Sequence, residues 1–272
     1  MKGIGSLLRK IGGLWFSDEK TADAESPIFE VLEFTLPKLG EDADSNADYC
    51  TWNRSAGRYV IADGVSQSFE PRVWARTISD HAVKTGAVIS PHEMELLAAK
   101  LSSPALSDES WFVSEMRDRG SQSTILFAEI RLINNQVIAR LNSIGDCCAF
   151  LFRDGRVVIS WPYISAADFP FHPFAVSTKP PFISGDIDEC EWVLEPSDQL
   201  VLATDAMSRF LVTAVERNAS IDLESVFPFF AAGVPQHEIF SEWADLARRG
   251  GSLEDDDLTI MMILSPTRLA HT

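Results

Sequence analysis

The feature that most constrains the fold is a series of short apolar segments between residues 123 and 161, joined by very short links. Within each segment Val, Ile and Phe alternate with other residues, as in strands that bury one face. The links are Asn134-Asn135, Gly145-Asp146 and Asp154-Gly155. Two-residue links of this composition favour tight hairpin turns. The sequence therefore predicts that these segments form one antiparallel meander.

Further strands and helices are predicted on both sides of this meander. Apolar strands start near Phe29 and recur in "GRYVIADG", "QLVLATD" and "DLTIMMILS". Apolar residues recur at helical spacing after Pro71, after Ser90 and in "PQHEIFSEWADLARRG". Residues 163–189 are rich in Pro and Phe without a clear period, and we interpret them as a long surface excursion. Grouped strands with helices between the groups are typical of an α+β fold with two stacked antiparallel sheets flanked by helices.

The two ends of the chain differ from its middle. Residues 1–28 combine an amphipathic segment, with Lys2, Arg9 and Lys10 as its cations, and a polar linker. Such a segment suits a membrane surface or a partner protein, and the alternative is a helix that packs on its own domain or a frayed terminus. A signal peptide is disfavoured because the continuous apolar region is missing. We expect the folded domain over residues 29–266 and a tail over residues 267–272.

Composition narrows the partners and the compartment. The net charge of −17, from 40 acidic and 23 basic residues, argues against a nucleic-acid partner, because phosphate binding needs a basic face. The four cysteines include no CxxC spacing, and the adjacent Cys147 and Cys148 would point to opposite faces of a strand, which disfavours a disulfide between them. This usage favours a reduced, cytoplasmic protein, peripheral to a membrane if the N-terminal segment binds one. No apolar run approaches the roughly 20 residues that span a bilayer.

Five apolar strands carry an aspartate where they begin or end: Asp48, Asp63, Asp146, Asp205 and the pair Asp256-Asp257. A single aspartate at such a place is ordinary, because Asp is a common turn residue. The joint pattern instead favours carboxylates gathered at one rim, where their oxygens suit Mg²⁺ or Mn²⁺. Two such ions about 3.5–4 Å apart can activate a hydroxide between them and hydrolyse phosphate esters.

Six segments come in the order seen in metal-dependent protein phosphatases of the 2C type, which the chain resembles over roughly residues 29–264. They are "NAD" at 46–48, "ADG" at 62–64, "SQST" at 121–124, "GDCCAFLFRDG" at 145–155, "LVLATDA" at 200–206 and "DDLTIMMI" at 256–263. The stretches "ADGVSQSFEPRVWAR" and "WPYISAADFPFHP" look most like a bacterial branch. The resemblance implies the two-sheet sandwich, a serine/threonine phosphatase, a phosphorylated protein substrate and a cognate kinase that it opposes.

The resemblance also implies which residues hold the metal ions. The candidate ligands are Asp63, Gly64, Asp146, Asp205 and Asp256. Asp63 would bridge two Mg²⁺ or Mn²⁺ ions, and the carbonyl of Gly64 would bind the second. Asp205 and Asp256 would hold the first.

The same resemblance implies the catalytic roles. Asp48 would hydrogen-bond a metal-bound water, so that Asp48 and Asp63 are the candidate catalytic residues. Asp146 would help to hold a weaker third ion. The bridging hydroxide would attack phosphoserine or phosphothreonine in line, without a covalent phospho-enzyme.

Three positions depart from the family pattern. An arginine that often precedes the first motif is absent, and Lys38 is the cation there. A lysine lacks the bidentate fork with which arginine grips phosphate. Val65 stands where many members have histidine, and Ala206 stands where glycine is usual. The absent arginine and Val65 motivate an alternative hypothesis, a pseudophosphatase that keeps the sandwich as a regulatory protein-binding module, whereas the retained metal-binding carboxylates favour the enzyme.

Overall fold

The computed structural model describes residues 29–86, 90–101, 110–217 and 237–264. The predicted N-terminal segment and linker, residues 1–28, and the predicted tail, residues 267–272, lie outside the described residues. The limits of the domain therefore stay a prediction.

Two antiparallel sheets form the centre of the molecule. Their strands are β1 (Glu30–Leu36), β2 (Tyr49–Asn53), β3 (Arg58–Gly64), β4 (Gln122–Ile133), β5 (Gln136–Ile144), β6 (Cys148–Arg153), β7 (Arg156–Trp161), β8 (Val176–Ser177), β9 (Asp188–Leu194), β10 (Gln199–Ala203) and β11 (Leu258–Leu264). The first sheet has the order β1-β11-β10-β6-β7, and the second has the order β2-β3-β4-β5-β9 with β8 paired to β4.

The helices lie on the outer faces of the sheets. Within the described ranges they are α1 (Pro71–Thr85), α2 (Pro91–Leu101), α3 (Trp111–Arg119), α4 (Asp205–Arg217) and α5 (His237–Arg249). Pro71 suits the first turn of α1, where the missing N–H has no partner to lose. None of the described helices is long and apolar enough to cross a membrane.

Side-chain alternation divides the core into three layers. On β10, Leu200 and Leu202 face the space between the sheets, whereas Val201 and Ala203 face α4 and α5. A third cluster packs α1 and α2 against the other face of the second sheet, with Trp74 fully buried in it. Because successive side chains of a strand point to opposite faces, each sheet packs on the other sheet with one face and on helices with the other. The predicted class, two stacked sheets flanked by helices, is confirmed.

The predicted continuous meander is wrong at one link. The β4–β5 and β6–β7 hairpins form as predicted, and Asn134, Asn135 and Asp154 adopt the positive φ angles that tight turns require. However, β5 and β6 lie in different sheets, so Gly145-Asp146 crosses from one sheet to the other. Gly145 has a φ of 103°, and an added Cβ would lie 2.5 Å from Thr124, so the crossing requires glycine.

Residues 163–187 form the surface excursion, which is two residues shorter than the predicted 163–189 because β9 begins at Asp188. It contains a short 3-10 helix at Ala166–Asp168 and the two-residue strand β8, and it leaves Phe171 92% exposed. Part of it folds back toward the sheet crossing, because the Tyr163 hydroxyl donates to the carbonyl of Gly145 at 3.4 Å. The excursion thus borders the end of the sandwich where the predicted metal ligands lie.

Candidate metal centre

The strand ends and the sheet crossing bring the five predicted aspartates to one end of the sandwich. Asp48 precedes β2, Asp63 lies near the end of β3, Asp146 lies in the crossing, Asp205 begins α4, and Asp256 precedes β11. Their proximity is visible in their electrostatics. Burial raises the pKa of Asp63 well above its ordinary value, and the neighbouring charges, led by Asp48 and Asp205 and including Asp146 and Asp256, raise it further.

Asp63 is held by the backbone of the second sheet. Asp63 and Gly64 pair with Thr124 and Ser123 of β4, and the Ser123 hydroxyl donates to the carbonyl of Asp63 at 2.8 Å. Gly64 lies where no side chain fits, because an added Cβ would come within 2.7 Å of the backbone of Pro71. The glycine therefore allows α1 to begin directly against the strand end that carries Asp63.

Asp48 is buried, with 5% of its surface exposed, and is oriented by Thr204. The Thr204 hydroxyl donates to Asp48 Oδ2 at 2.8 Å, whereas Asp48 Oδ1 accepts no hydrogen bond from the described residues. Burial raises the pKa of Asp48 well above its ordinary value, the Thr204 hydrogen bond opposes the rise, and the charges of Asp257 and Asp205 add to it. Sequence reasoning missed Thr204, although it directly precedes Asp205 in the "LATDA" segment.

Asp146 and Asp205 both lie beside the cation Arg209. Burial raises the pKa of Asp146 to about 6 and that of Asp205 to about 7, and the charge of Arg209 lowers both. The charge of Asp146 is the second cause of the rise in the pKa of Asp205. Asp146 is 2% exposed, and its Oδ1 has no hydrogen-bond partner in the described part of the chain. Sequence reasoning also missed Arg209, whose signal is its position four residues after Asp205.

The neighbouring acids Asp256 and Asp257 have different surroundings. Asp257 is buried and accepts from the backbone N–H of Lys38 at 3.1 Å and of Ala47 at 2.9 Å, so it fixes the loop that carries Asp48. Asp256 is partly exposed, and its Oδ1 lies 2.9 Å from the Lys38 ammonium. Lys38 also donates to the Ser66 hydroxyl at 3.0 Å. The lysine noted in the sequence therefore lies at the edge of the carboxylate cluster.

The donor chemistry of this cluster fits a hard divalent ion. It offers carboxylate oxygens, and two of the buried ones, on Asp48 and Asp146, lack a hydrogen-bond partner among the described residues. Oxygen donors of this kind suit Mg²⁺ and Mn²⁺. In the described residues, no three His, Cys, Asp or Glu side chains are already drawn together as a complete ligand set. The side chains therefore share one region and one donor chemistry, with Asp256 turned to Lys38.

Comparison with known proteins identifies the class of fold. No family model matches the chain, and no curated protein matches it. The photosystem II phosphatase PBCP superposes with a TM-score of 0.55 at 16% identity, over 87% of this chain and 98% of that one. The serine/threonine phosphatase Stp1 from Staphylococcus aureus gives 0.52 at 13% identity, over 91% and 99%. A bacterial serine phosphatase gives 0.51 at 14% identity, over 87% and 98%.

These structures define the fold of the chain. It is the fold of the 2C-type serine/threonine phosphatases, with two antiparallel sheets between layers of helices. The resemblance stated from the sequence motifs is thereby confirmed for the fold.

Proposed function

We propose that this protein is a metal-dependent phosphoprotein phosphatase that hydrolyses phosphoserine and phosphothreonine with two Mg²⁺ or Mn²⁺ ions. The observation that carries the proposal is the set of aspartates that a phosphatase fold gathers at one end, with raised pKa values at Asp48, Asp63, Asp146 and Asp205. Carboxylates that outnumber the cations beside them are typical of functional sites rather than of structural ones.

The proposed roles follow from the position of each group. Asp63 and the Gly64 carbonyl, with Asp205 and Asp256, would hold the ions, which supply a hydroxide at neutral pH and stabilise the charge of the phosphoryl group. Asp48 would orient the attacking water through Oδ1, because Thr204 already occupies Oδ2. No side chain is required as a covalent nucleophile.

Lys38 is the proposed contact for the substrate phosphate. Its ammonium lies at the edge of the carboxylate cluster, where Asp256 and Ser66 orient it. Burial works against its charge, but Asp256 and the nearby acids outweigh burial, so that the pKa of Lys38 is raised. The side chain therefore keeps its positive charge at neutral pH and can attract a phosphate group.

The test is turnover of a phosphothreonine peptide by purified full-length protein with Mn²⁺. We expect metal-dependent hydrolysis in the wild type and in Asp154→Asn, a matched substitution in the exposed β6–β7 turn, and its loss in Asp63→Asn. A wild-type rate equal to that of Asp63→Asn would refute the enzymatic function.

The second candidate function is a pseudophosphatase that acts as a regulatory protein-binding module. The observation that favours it is the lack of a complete ligand set among the described side chains, with Asp256 paired to Lys38. Calorimetric titration with Mn²⁺ separates the two functions. The enzyme should bind Mn²⁺ with measurable heat, whereas the pseudophosphatase should give almost none.

The N-terminal segment carries a separate proposal about location. Its basic, amphipathic sequence suits docking on a membrane surface or on a partner such as the cognate kinase. Deletion of residues 1–20 should leave catalysis intact and change binding. Equal co-sedimentation of the full-length and truncated proteins with anionic liposomes would rule out the membrane version.

A further inference from the structure

Arg209 brings a positive charge into the carboxylate cluster. It lies one helical turn after Asp205 on α4, so the two side chains share one face of the helix. Arg209 Nη2 is 3.9 Å from Asp205 Oδ2 and 3.8 Å from Asp146 Oδ2. One nitrogen of the guanidinium thus lies between a carboxylate from the helix and a carboxylate from the sheet crossing.

The position of Arg209 is held from its other sides as well. Its Nη1 donates to both carboxylate oxygens of Glu254, at 3.3 and 3.2 Å. Its Cζ lies 5.3 Å from the ring centroid of Phe169, and that ring packs on Tyr163 at 4.7 Å. Contacts with an acid on one side and an aromatic face on another restrict the guanidinium to this place. It is therefore a fixed part of the cluster and not a mobile surface cation.

Two carboxylates and one guanidinium meet at this point. Arg209 Nη2 is 3.8 Å from Asp146 and 3.9 Å from Asp205, and Asp146 Oδ1 is buried without a hydrogen-bond partner among the described residues. A divalent ion placed here would be held by the same two carboxylates that the guanidinium now faces. Burial opposes the charge of Arg209, but Glu254, Asp205 and Asp146 outweigh it and keep the pKa of Arg209 raised.

We propose that Arg209 is a built-in third cation, whose guanidinium takes the space between Asp146 and Asp205 that a third divalent ion would otherwise fill. The inference rests on the proposed two-ion phosphatase centre, and it differs from the expectation that Asp146 helps to hold an exchangeable ion. Its consequence is that the site saturates with two ions, while the third charge is supplied permanently by the chain.

The experiment counts Mn²⁺ ions bound to the full-length protein by equilibrium dialysis and calorimetry. We expect two ions in the wild type and also two in Asp146→Asn. We expect three in Arg209→Gln. The third ion should bind with a dissociation constant on the order of 10⁻⁴–10⁻³ M, as in weak oxygen-ligand sites. The double variant Arg209→Gln with Asp146→Asn should return to two, because the vacated site then lacks a carboxylate.

Two further substitutions serve as controls. Arg217→Gln removes the same charge from the exposed end of α4 and should leave the count at two. Arg209→Lys keeps a positive charge at the site and should also bind two ions. Circular dichroism of each metal-free variant establishes that it is folded.

Several results would overturn the inference. One is a third ion that binds the wild type and is lost in Asp146→Asn, because Asp146 would then hold an ion while Arg209 is in place. Another is a folded Arg209→Gln that binds two ions while inorganic phosphate inhibits it less strongly, because Arg209 would then be a phosphate ligand. A wild type that binds no Mn²⁺ would refute the proposed metal centre together with this inference. A third ion in the wild type would refute the inference alone.

Discussion

An aspartate lies just beyond each end of strand β10, and the two aspartates have opposite surroundings. Asp198, just before the strand, accepts hydrogen bonds from Arg153 Nε and Nη2 and from the Glu195 N–H, all at 2.8 Å. Asp205, just after the strand, accepts from the N–H of the next residue and shares Arg209 with Asp146, its Oδ2 lying 3.9 Å from Arg209 Nη2. Burial and the charge of Asp146 raise its pKa to about 7.

The difference separates an acid that is fully paired within the fold from one that is proposed to bind a metal ion. A bidentate arginine satisfies Asp198 completely, and breaking such a pair leaves a buried group without its partner. The carboxylates at the other end compete with one another, and their raised pKa values express an unfavourable interaction that the fold tolerates. Sites that must bind a ligand commonly sacrifice stability in this way.

The largest expected effect is on catalysis at the carboxylate cluster. Asp63→Asn removes the proposed bridging charge and should lower the Mn²⁺-dependent rate by about 10³-fold or more, beyond the 10–100-fold usual for an outer ligand partner. The rate with a phosphothreonine peptide measures this. If Asp198→Asn lost activity to the same extent while remaining folded, the two ends would not differ in function.

At the compensated end the expected loss is in stability. Asp198→Asn should lower the free energy of unfolding by about 1–3 kcal/mol, because Arg153 and the Glu195 N–H lose a charged acceptor. Urea denaturation measures the change. We also expect folded Asp198→Asn to hydrolyse the phosphothreonine peptide at the wild-type rate.

The same substitution at the other end of β10 should have the opposite sign. Asp205→Asn should stabilise the metal-free protein by about 0.5–2 kcal/mol, because it removes a repelled carboxylate. Urea denaturation in the presence of a chelator measures this. Destabilisation equal to that of Asp198→Asn would show that both aspartates are structural.

The pH dependence of stability sharpens the contrast. The folded pKa of Asp205, about 7, is above the ordinary value of 3.8, so the folded chain binds more protons than the unfolded chain. The stabilisation that Asp205 contributes is therefore complete below about pH 4 and is lost as the pH rises toward 7. We expect the metal-free wild type to lose stability relative to Asp205→Asn across this window. Thermal unfolding of both proteins at each pH measures this. A difference in stability between the wild type and Asp205→Asn that does not change with pH would contradict the assigned surroundings of Asp205.

The smallest expected effect concerns the orientation of Asp48. Thr204→Val removes the hydroxyl that donates to Asp48 Oδ2 with little change in shape, and should raise the Mn²⁺ concentration for half-maximal activity about fivefold, on the order of 1 kcal/mol. A Mn²⁺ titration of the rate measures this. Thr77→Val, whose hydroxyl bonds within the exposed face of α1, is the matched control and should not change the titration.

The sequence predicted the elements of the fold better than their connections. Alternating apolar residues gave the strands, since one face of each is buried whatever its partners are. The link Gly145-Asp146 has the composition of a hairpin turn, yet it crosses between the sheets. Local composition does not distinguish these outcomes, because they depend on how two sheets pack.

In the candidate site, too, local features could be predicted and long-range contacts could not. The sequence predicted that the aspartates would lie together, because each of them stands at an end of an apolar strand. The different surroundings of Asp256 and Asp257 could not be predicted from the sequence. They arise because Asp257 accepts from the backbone N–H groups of Lys38 and Ala47, which are more than 200 residues away in the chain. Likewise, Arg209 had a visible spacing from Asp205, but its contact with Asp146 arises only in the folded chain.

We propose above that the carboxylate cluster is a centre for two divalent ions, with Asp63 as their shared ligand. The most direct measurement is a crystal structure of the protein with Mn²⁺, with the ions located by anomalous scattering. We expect two anomalous-scattering peaks about 3.5–4 Å apart. Both should be in contact with Asp63, and one of them with Asp205. Peaks elsewhere, or none within reach of Asp63 at saturating Mn²⁺, would contradict it.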